Sequence, residues 1–272
     1  MTHLSNNKLI DDLKQLLSLL KLHICLNQFQ SIAERCEKEK LSYIEFLHEL
    51  VFREQEQRQQ KRIAALVKNA QLPRNKLLSD FDMTRIPGLA PSQVLSLVSG
   101  DFIDRYGNVL IFGNPGTGKS HLGIALAREW CLLGRKIRFF TAANLVQLLL
   151  QAKAQLKLTQ LIKQLDRFDV LMIDDISYVP FEKSETDVLF TLLSERYEMR
   201  SLLITSNLPF SQWDGIFKDQ MTTNAAIDRL VHHATILELN TSSYRAECAK
   251  NKQTKTNKQS TKMTNIKEAS MA

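Results

Sequence analysis

The segment Gly113-Asn114-Pro115-Gly116-Thr117-Gly118-Lys119-Ser120 has the spacing G-x-x-x-x-G-K-[ST]. Glycines let a loop turn so that successive backbone N–H groups face a phosphate chain, and the N-terminus of a following helix adds its positive end. In such a loop Lys119 reaches the β- and γ-phosphates, and the Ser120 hydroxyl coordinates Mg2+. The apolar run Asn108 to Phe112 precedes the loop and a helical pattern from His121 to Leu133 follows it. That strand–loop–helix setting separates a phosphate-binding loop from a chance glycine turn. The nucleotide-contacting set is expected to run from Gly113 through His121. No N-K-x-D guanine-selecting signature occurs, so the expected ligand is ATP with Mg2+.

Further candidates stand at the ends of two apolar runs. Val170-Leu171-Met172-Ile173 is followed by Asp174-Asp175. Four apolar residues in a row suit a strand buried on both faces of a parallel sheet. A carboxylate at such a strand's C-terminal end emerges where ligands bind. Asp174 is therefore a candidate for the Mg2+ hydration shell. Asp175 is a candidate to polarise the attacking water, or else one of the two caps a turn. Leu202-Leu203-Ile204-Thr205-Ser206-Asn207 is a second run of this kind. The Asn207 amide either orients a water against the γ-phosphate or makes an Asx-turn before Pro209. Ala225-Ala226-Ile227-Asp228-Arg229-Leu230 reads as a short helix. Its Arg229 either stabilises transition-state charge or pairs with Asp228 or Glu238 on the surface.

These residues require an alternating α/β scaffold. Beyond the loop, Lys136–Thr141 reads as a strand, Asn144–Gln164 as one long helix, and Val170–Ile173 as a strand. Ser184–Met199 reads as a helix, and Ser201–Thr205 and Thr235–Leu239 as strands. Strands separated by helices imply parallel crossovers and a three-layer sheet. The expected fold class is α/β, a P-loop NTPase core spanning about 71–240. A loose connector carrying Pro73, Pro87-Gly88 and Pro91 leads into it.

Residues 1–70 are expected to be wholly helical. Leu9, Leu13, Leu16, Leu17 and Leu20 fall at helical spacing, and no Pro or Gly interrupts the chain before Pro73. The charged and Gln-rich stretch Arg53–Arg62 reads as a solvated helix surface. Residues 241–272 are polar and Lys-rich and are expected to be disordered, because they cannot bury enough surface to offset ordering entropy. The net charge is +7, which favours an anionic partner such as nucleic acid. From Ala246 onward, however, six lysines face two glutamates, so the tail carries much of the excess. The four cysteines show no metal-ligand spacing. No apolar run approaches the roughly 20 residues of a membrane span. A cytoplasmic protein with reduced thiols is the expectation.

Taken together, the loop 113–120 with His121-Leu122, the strand Leu171–Asp175, Thr205-Ser206-Asn207-Leu208-Pro209, Ile227-Asp228-Arg229-Leu230 with His232-His233, and Ser243-Tyr244-Arg245 resemble the IstB-like ATP-binding proteins. These are helper ATPases of insertion-sequence transposition, AAA+ proteins related to the helicase loader DnaC. The resemblance spans about residues 5–247. It implies ATP hydrolysis, self-association into an ATP-dependent oligomer, binding of double-stranded DNA with little sequence preference, and recruitment or activation of a transposase. It also implies that Asn207 is the sensor-1 residue, that Arg229 is an arginine finger completing a neighbour's site, that Arg245 contacts nucleotide, and that residues 1–70 bind the partner or DNA. Asp175 stands where AAA+ proteins usually carry Glu, so hydrolysis is expected to be slow. Ser177 stands before Tyr178 where Gly is common, and no Gly precedes Ser243-Tyr244-Arg245.

A DnaC-like replicative helicase loader shares these motifs and stands as the alternative. A small-molecule kinase would use the same loop, but it lacks a reason for the second Asp and for Asn207. A nucleotide-gated scaffold would bind ATP without using Asp175. For DNA, Lys153 and Lys157 lie four apart on the expected helix 144–164 and so share a face, flanked by Lys163 and Arg167; that face either follows a phosphate backbone or is an ordinary solvated helix surface.

Overall fold

A computed structural model describes residues 6–177, 182–217 and 219–244. Among sequence-based expectations, Arg245, Tyr178 and the Lys-rich tail beyond Arg245 lie outside the described residues. The chain divides into two compact units between Ala65 and Leu66.

The first unit contains α1 (Asn6–Leu19), α2 (His23–Glu39) and most of α3 (Tyr43–Ala70). The breaks come without Gly or Pro, at Lys21 (φ 54°) and Lys40 (φ 57°), both in the left-handed region. Leu17, Cys25, Phe29, Ile32, Cys36 and Leu50 form the unit's core. The charged stretch of α3 is not merely a solvated face. Glu54 is buried and accepts hydrogen bonds from Ile24 N at 2.7 Å and Cys25 N at 3.3 Å. It thereby caps the first turn of α2. Arg58 donates to Glu54 at 2.8 Å and to the Lys21 carbonyl at 2.8 Å, closing the turn between α1 and α2. Burial would raise the Glu54 pKa, but Arg58 and the two N–H groups outweigh it and hold the carboxyl below its usual range.

The second unit is a five-stranded parallel sheet in the order β2-β3-β4-β1-β5. The strands are β1 (Asn108–Gly113), β2 (Ile137–Thr141), β3 (Val170–Asp174), β4 (Ser201–Ser206) and β5 (Ala234–Leu239). Alternate residues point to opposite faces. Val109, Ile111, Val170, Met172 and Leu203 pack against α6 (Lys119–Leu132) and α4 (Pro91–Val98). Leu110, Phe112, Leu171, Ile173, Leu202 and Ile204 pack against α7 (Ala142–Ala154), α9 (Lys183–Arg196) and α11 (Gln220–Val231). Both faces are covered, and this explains why the strands read as continuous apolar runs. Parallel registers Phe112↔Ser206 and Ile173↔Ile204 bring the C-terminal ends of β1, β4 and β3 to one edge.

Three readings of the helices change. The connector is not structureless: Pro91 occupies the first turn of α4, where its missing N–H costs nothing. Trp130 of α6, fully buried, donates its indole N–H to the α4 carbonyl of Leu97 at 2.7 Å. The expected single helix 144–164 is two, α7 and α8 (Leu158–Leu165), separated at Leu156 with φ 57°. Lys153 and Lys157 therefore lie on either side of a turn and share no helical face. The short helix expected around Arg229 extends back to Gln220, where the Asp219 carboxylate accepts from Thr222 N at 2.8 Å. Cys131 is buried, which pushes its thiol up to about 11, so it stays protonated at neutral pH.

Asn108, 8% exposed, joins three elements at the opposite edge of the sheet. Its amide donates to the Leu230 carbonyl of α11 at 3.0 Å and accepts from Leu202 N of β4 at 2.9 Å. Asn108→Ala strands two buried backbone groups. The expected loss is about 2–4 kcal/mol in urea unfolding at unchanged slope.

Candidate functional site

The strand β1 ends at Gly113 and α6 begins at Lys119, so residues 113–118 form the loop between them. Gly116 and Gly118 have φ of 84° and 102°, a region that side-chain-bearing residues rarely adopt. Gly116 is doubly constrained, since a Cβ there would lie 2.1 Å from Ser243 Oγ. Lys119, 6% exposed, donates from Nζ to the Asn114 carbonyl at 2.8 Å. Thr117 Oγ1 donates to the same carbonyl at 2.9 Å. Loop and ammonium thus converge at the N-terminus of α6, where the helix dipole favours an anion. Ser120 follows in the first turn of α6, and Asn114 and Pro115 are exposed. His121 faces the connector: its Nε2 bonds to the Leu77 carbonyl at 2.9 Å, and its ring meets Phe81 edge-on at 5.6 Å.

The second half of the site is a hydrogen-bonded set shared by β3 and β4. Thr205, fully buried, donates from Oγ1 to Asp174 Oδ1 at 2.7 Å and accepts from Asp175 N at 2.8 Å. Asp175 has φ 61°, a left-handed conformation that Asp tolerates better than most residues. Asn207 donates from Nδ2 to Asp175 Oδ1 at 2.6 Å, and its backbone N–H donates to Ser177 Oγ at 2.8 Å. The Asn207 side chain therefore makes no Asx-turn. The turn before Pro209 is made by Ser206, whose Oγ accepts from Leu208 N at 3.1 Å. Thr205 was missed in the sequence because a threonine within a β-branched strand reads as ordinary strand composition. Its position on the strand next to the Asp-Asp pair was the available signal.

Adjacent strands lie about 4.8 Å apart, so the ends of β1 and β3, with β4 between them, are separated by roughly 10 Å. That gap suits phosphate oxygens and a hydrated cation between the loop and the carboxylates. Arg229 lies elsewhere. Its guanidinium donates to the Ala225 carbonyl of its own helix at 2.9 Å and sits 5.2 Å from the Phe190 ring of α9. Among the described residues it makes no hydrogen bond or ion pair with the loop, with Asp228 or with Glu238.

Sequence comparison decides the family. The family model described as IstB-like ATP binding protein matches residues 15–254. The chain belongs to this family of IstB-like ATP-binding proteins. It is 39% identical to an insertion sequence ATP-binding protein of Sinorhizobium fredii over 86% of this chain and 79% of that one. It is 36% identical to the IS21 insertion sequence ATP-binding protein of Pseudomonas aeruginosa over 86% of this chain and 88% of that one. Its fold is that of the AAA+ P-loop proteins. A structure of the replication initiator DnaA bound to AMPPCP and single-stranded DNA superposes with a TM-score of 0.53 at 19% identity, over 69% of this chain and 57% of that one. A structure of DnaI gives 0.51 at 19% identity, over 62% and 94%. No helix of the described residues is long and apolar enough to cross a membrane.

The Thr205 hydroxyl sets the positions of both aspartates. Thr205→Val is expected to cost about 1–3 kcal/mol in urea unfolding, because the half-buried Asp175 N–H loses its acceptor and Asp174 loses a donor. Thr205→Ser keeps the hydroxyl and is expected to lose less than half as much.

Proposed function

We propose that this chain binds ATP with Mg2+ and hydrolyses it slowly as an accessory ATPase of insertion-sequence transposition, assembling on double-stranded DNA and recruiting or activating a transposase. The observation that carries the ATPase reading is the bonded set Asp174–Thr205–Asp175–Asn207 beside the loop 113–120. The transposition reading rests on relatives whose names place them in insertion sequences. The same relatives favour it over a helicase loader.

In this reading residues 113–120 hold the triphosphate, with the Lys119 ammonium exchanging the Asn114 carbonyl for phosphate oxygens. The oxygen donors of Ser120 and Asp174 suit Mg2+, a hard cation. One oxygen of Asp174 is held by Thr205, which fixes the carboxylate's direction. When bound, Mg2+ neutralises charge on the β- and γ-phosphates. Asp175, oriented by Asn207, takes the proton of the attacking water. Among the described residues Arg229 makes no bond to the loop of its own subunit, and it is proposed to face the γ-phosphate of a neighbouring subunit.

Mixed assemblies test that arrangement. Lys119→Ala and Arg229→Ala proteins are each expected to lose at least tenfold in DNA-stimulated ATP turnover. Mixing them is expected to recover turnover, since an intact loop then meets an intact Arg229 across some interfaces. Failure of every mixing ratio to recover activity would exclude supply of Arg229 in trans.

For DNA, the proposed contact is the exposed α7–α8 turn, with Lys153 and Lys157 flanking Leu156 and with Lys163 and Arg167 beyond. Lys153→Gln with Lys157→Gln is expected to weaken binding on all duplex sequences alike. The slope of log affinity against log salt should flatten by about 2, one for each phosphate that the variant leaves unneutralised. An unchanged slope moves the DNA-binding surface off this turn.

A further inference from the structure

The turn after α9 and the turn after α11 meet on the side of the unit that carries Arg229, and neither is used by the chemistry above. Among the described residues, Glu198, His232 and His233 form the one group of three metal-ligating side chains whose donor atoms all lie within 4.8 Å of one another. His232 Nδ1 is 3.7 Å and His233 Nε2 is 3.8 Å from the same oxygen, Glu198 Oε1. A tetrahedral ion with Zn–N and Zn–O bonds of about 2.0–2.2 Å needs ligand–ligand edges of roughly 3.4 Å. Two edges are thus within a few tenths of an ångström of coordination geometry.

The backbone beneath these side chains is held in place. The His233 carbonyl accepts from Asn108 N at 2.9 Å, and the Leu230 carbonyl accepts from Asn108 Nδ2 at 3.0 Å. Both histidines therefore hang from a segment tied at two points to β1. Glu198 occupies a left-handed turn at φ 55°, which brings its carboxylate back toward α11. Tyr197 lies within hydrogen-bond distance of His232 Nδ1, 2.7 Å. With the phenol as donor, the Nδ1 lone pair faces Tyr197, and an incoming metal ion takes it over from the phenol.

We propose that Glu198, His232 and His233 bind one divalent transition-metal ion of the zinc class, with solvent in the fourth position. The borderline-soft N,N,O donor set favours Zn2+, Co2+ or Ni2+ over Mg2+ and Ca2+, which prefer oxygen throughout. The ion replaces the phenol proton at Nδ1. It clamps the end of α9 to the end of α11, three residues beyond Arg229, and so holds in register the helix that carries this arginine.

The test uses untagged full-length protein, stripped with EDTA and exchanged into a non-chelating buffer. Co2+ is titrated with detection by visible absorption, and Zn2+ by calorimetry. The expected result is one ion per chain, with tetrahedral Co2+ bands, and a thermal midpoint raised by Zn2+. Glu198→Gln and His233→Ala are each expected to weaken binding at least tenfold and to abolish the Zn2+ stabilisation. Tyr197→Phe removes the competing phenol but no ligand, and is expected to keep one ion per chain at equal or higher affinity. Absence of saturable binding to the parent protein overturns the proposal, as does binding that survives both ligand substitutions or binding that is lost in Tyr197→Phe.

Discussion

The bonds of the Thr205 hydroxyl join the two strands that carry Asp174-Asp175 and Asn207, and the geometry of the aspartates depends on them. The oxygen donates to Asp174 Oδ1 and accepts from the N–H of Asp175. A neutral hydrogen bond such as that from Asp175 N contributes about 0.5–1.5 kcal/mol, and one to a charged group such as Asp174 about 1.5–3 kcal/mol. A non-glycine residue in the left-handed region costs about 1–2 kcal/mol, and Asp175 sits there at φ 61°. The two Thr205 bonds are large enough to hold that turn. Once Asp175 reverses the chain, its carboxylate faces β4 instead of continuing along β3, and the Asn207 amide can reach it at 2.6 Å. A residue without a hydroxyl at 205 would leave the same Asp-Asp pair in the sequence with a different orientation at the sheet edge.

Thr205 can act this way only because the parallel register places it there. Ile173 pairs with Ile204 and Phe112 with Ser206, so Asp174, Thr205 and the end of β1 lie in consecutive strands at one height. The register is fixed in turn by burial on both faces. A slip of one residue would exchange Leu202 and Ile204, which face α9, with Leu203 and Thr205, whose neighbours include α6. At the opposite edge Asn108 ties β1, β4 and α11 together, fixing the strands' relative height from the other end.

Much of this was legible in the sequence, for a physical reason. Parallel strands covered on both faces must be continuously apolar, and the loop's glycines are required by backbone conformation; both leave a direct trace. The strands around Val109, Val170 and Leu202, the loop 113–120 and the strand-end aspartates were therefore visible. The breaks at Lys21, Lys40 and Leu156 were not, because each places a residue with good helix propensity in a left-handed turn. Such turns are set by tertiary contacts, as Glu54 and Arg58 set the one at Lys21, and contacts between distant residues have no local periodicity. Pro91 was misread because proline marks both loops and helix starts. The alternatives for Asn207 stayed open until the partner of its amide was known, since the same side chain suits an Asx-turn and a bond to a carboxylate.

The phosphate loop itself is enclosed by segments from both ends of its unit. The connector reaches it through Leu77 and Phe81, which contact His121, and Phe81 Cε2 lies 3.0 Å from where a Cβ of Gly118 would sit. After β5, Tyr244 N donates to the Gly116 carbonyl at 3.1 Å, and Ser243 fills the space beside Gly116. The two segments also touch each other: Thr241 Oγ1 donates to the Arg85 carbonyl at 2.8 Å, and the Arg85 guanidinium lies 4.6 Å from the centre of the Tyr244 ring. Each contact is worth only about 0.5–1.5 kcal/mol, but together they converge on a loop whose local sequence is glycine-rich and gains little from its own side chains. Gly116 is thus required for two independent reasons, its φ and the approach of Ser243. A larger residue there would press on the Ser243 side chain, about 130 positions away, as well as strain the loop. Loop geometry is therefore a property of the whole unit, and residues 77–85 and 241–244 are structural walls around the loop, a role that neither spacing nor charge made legible.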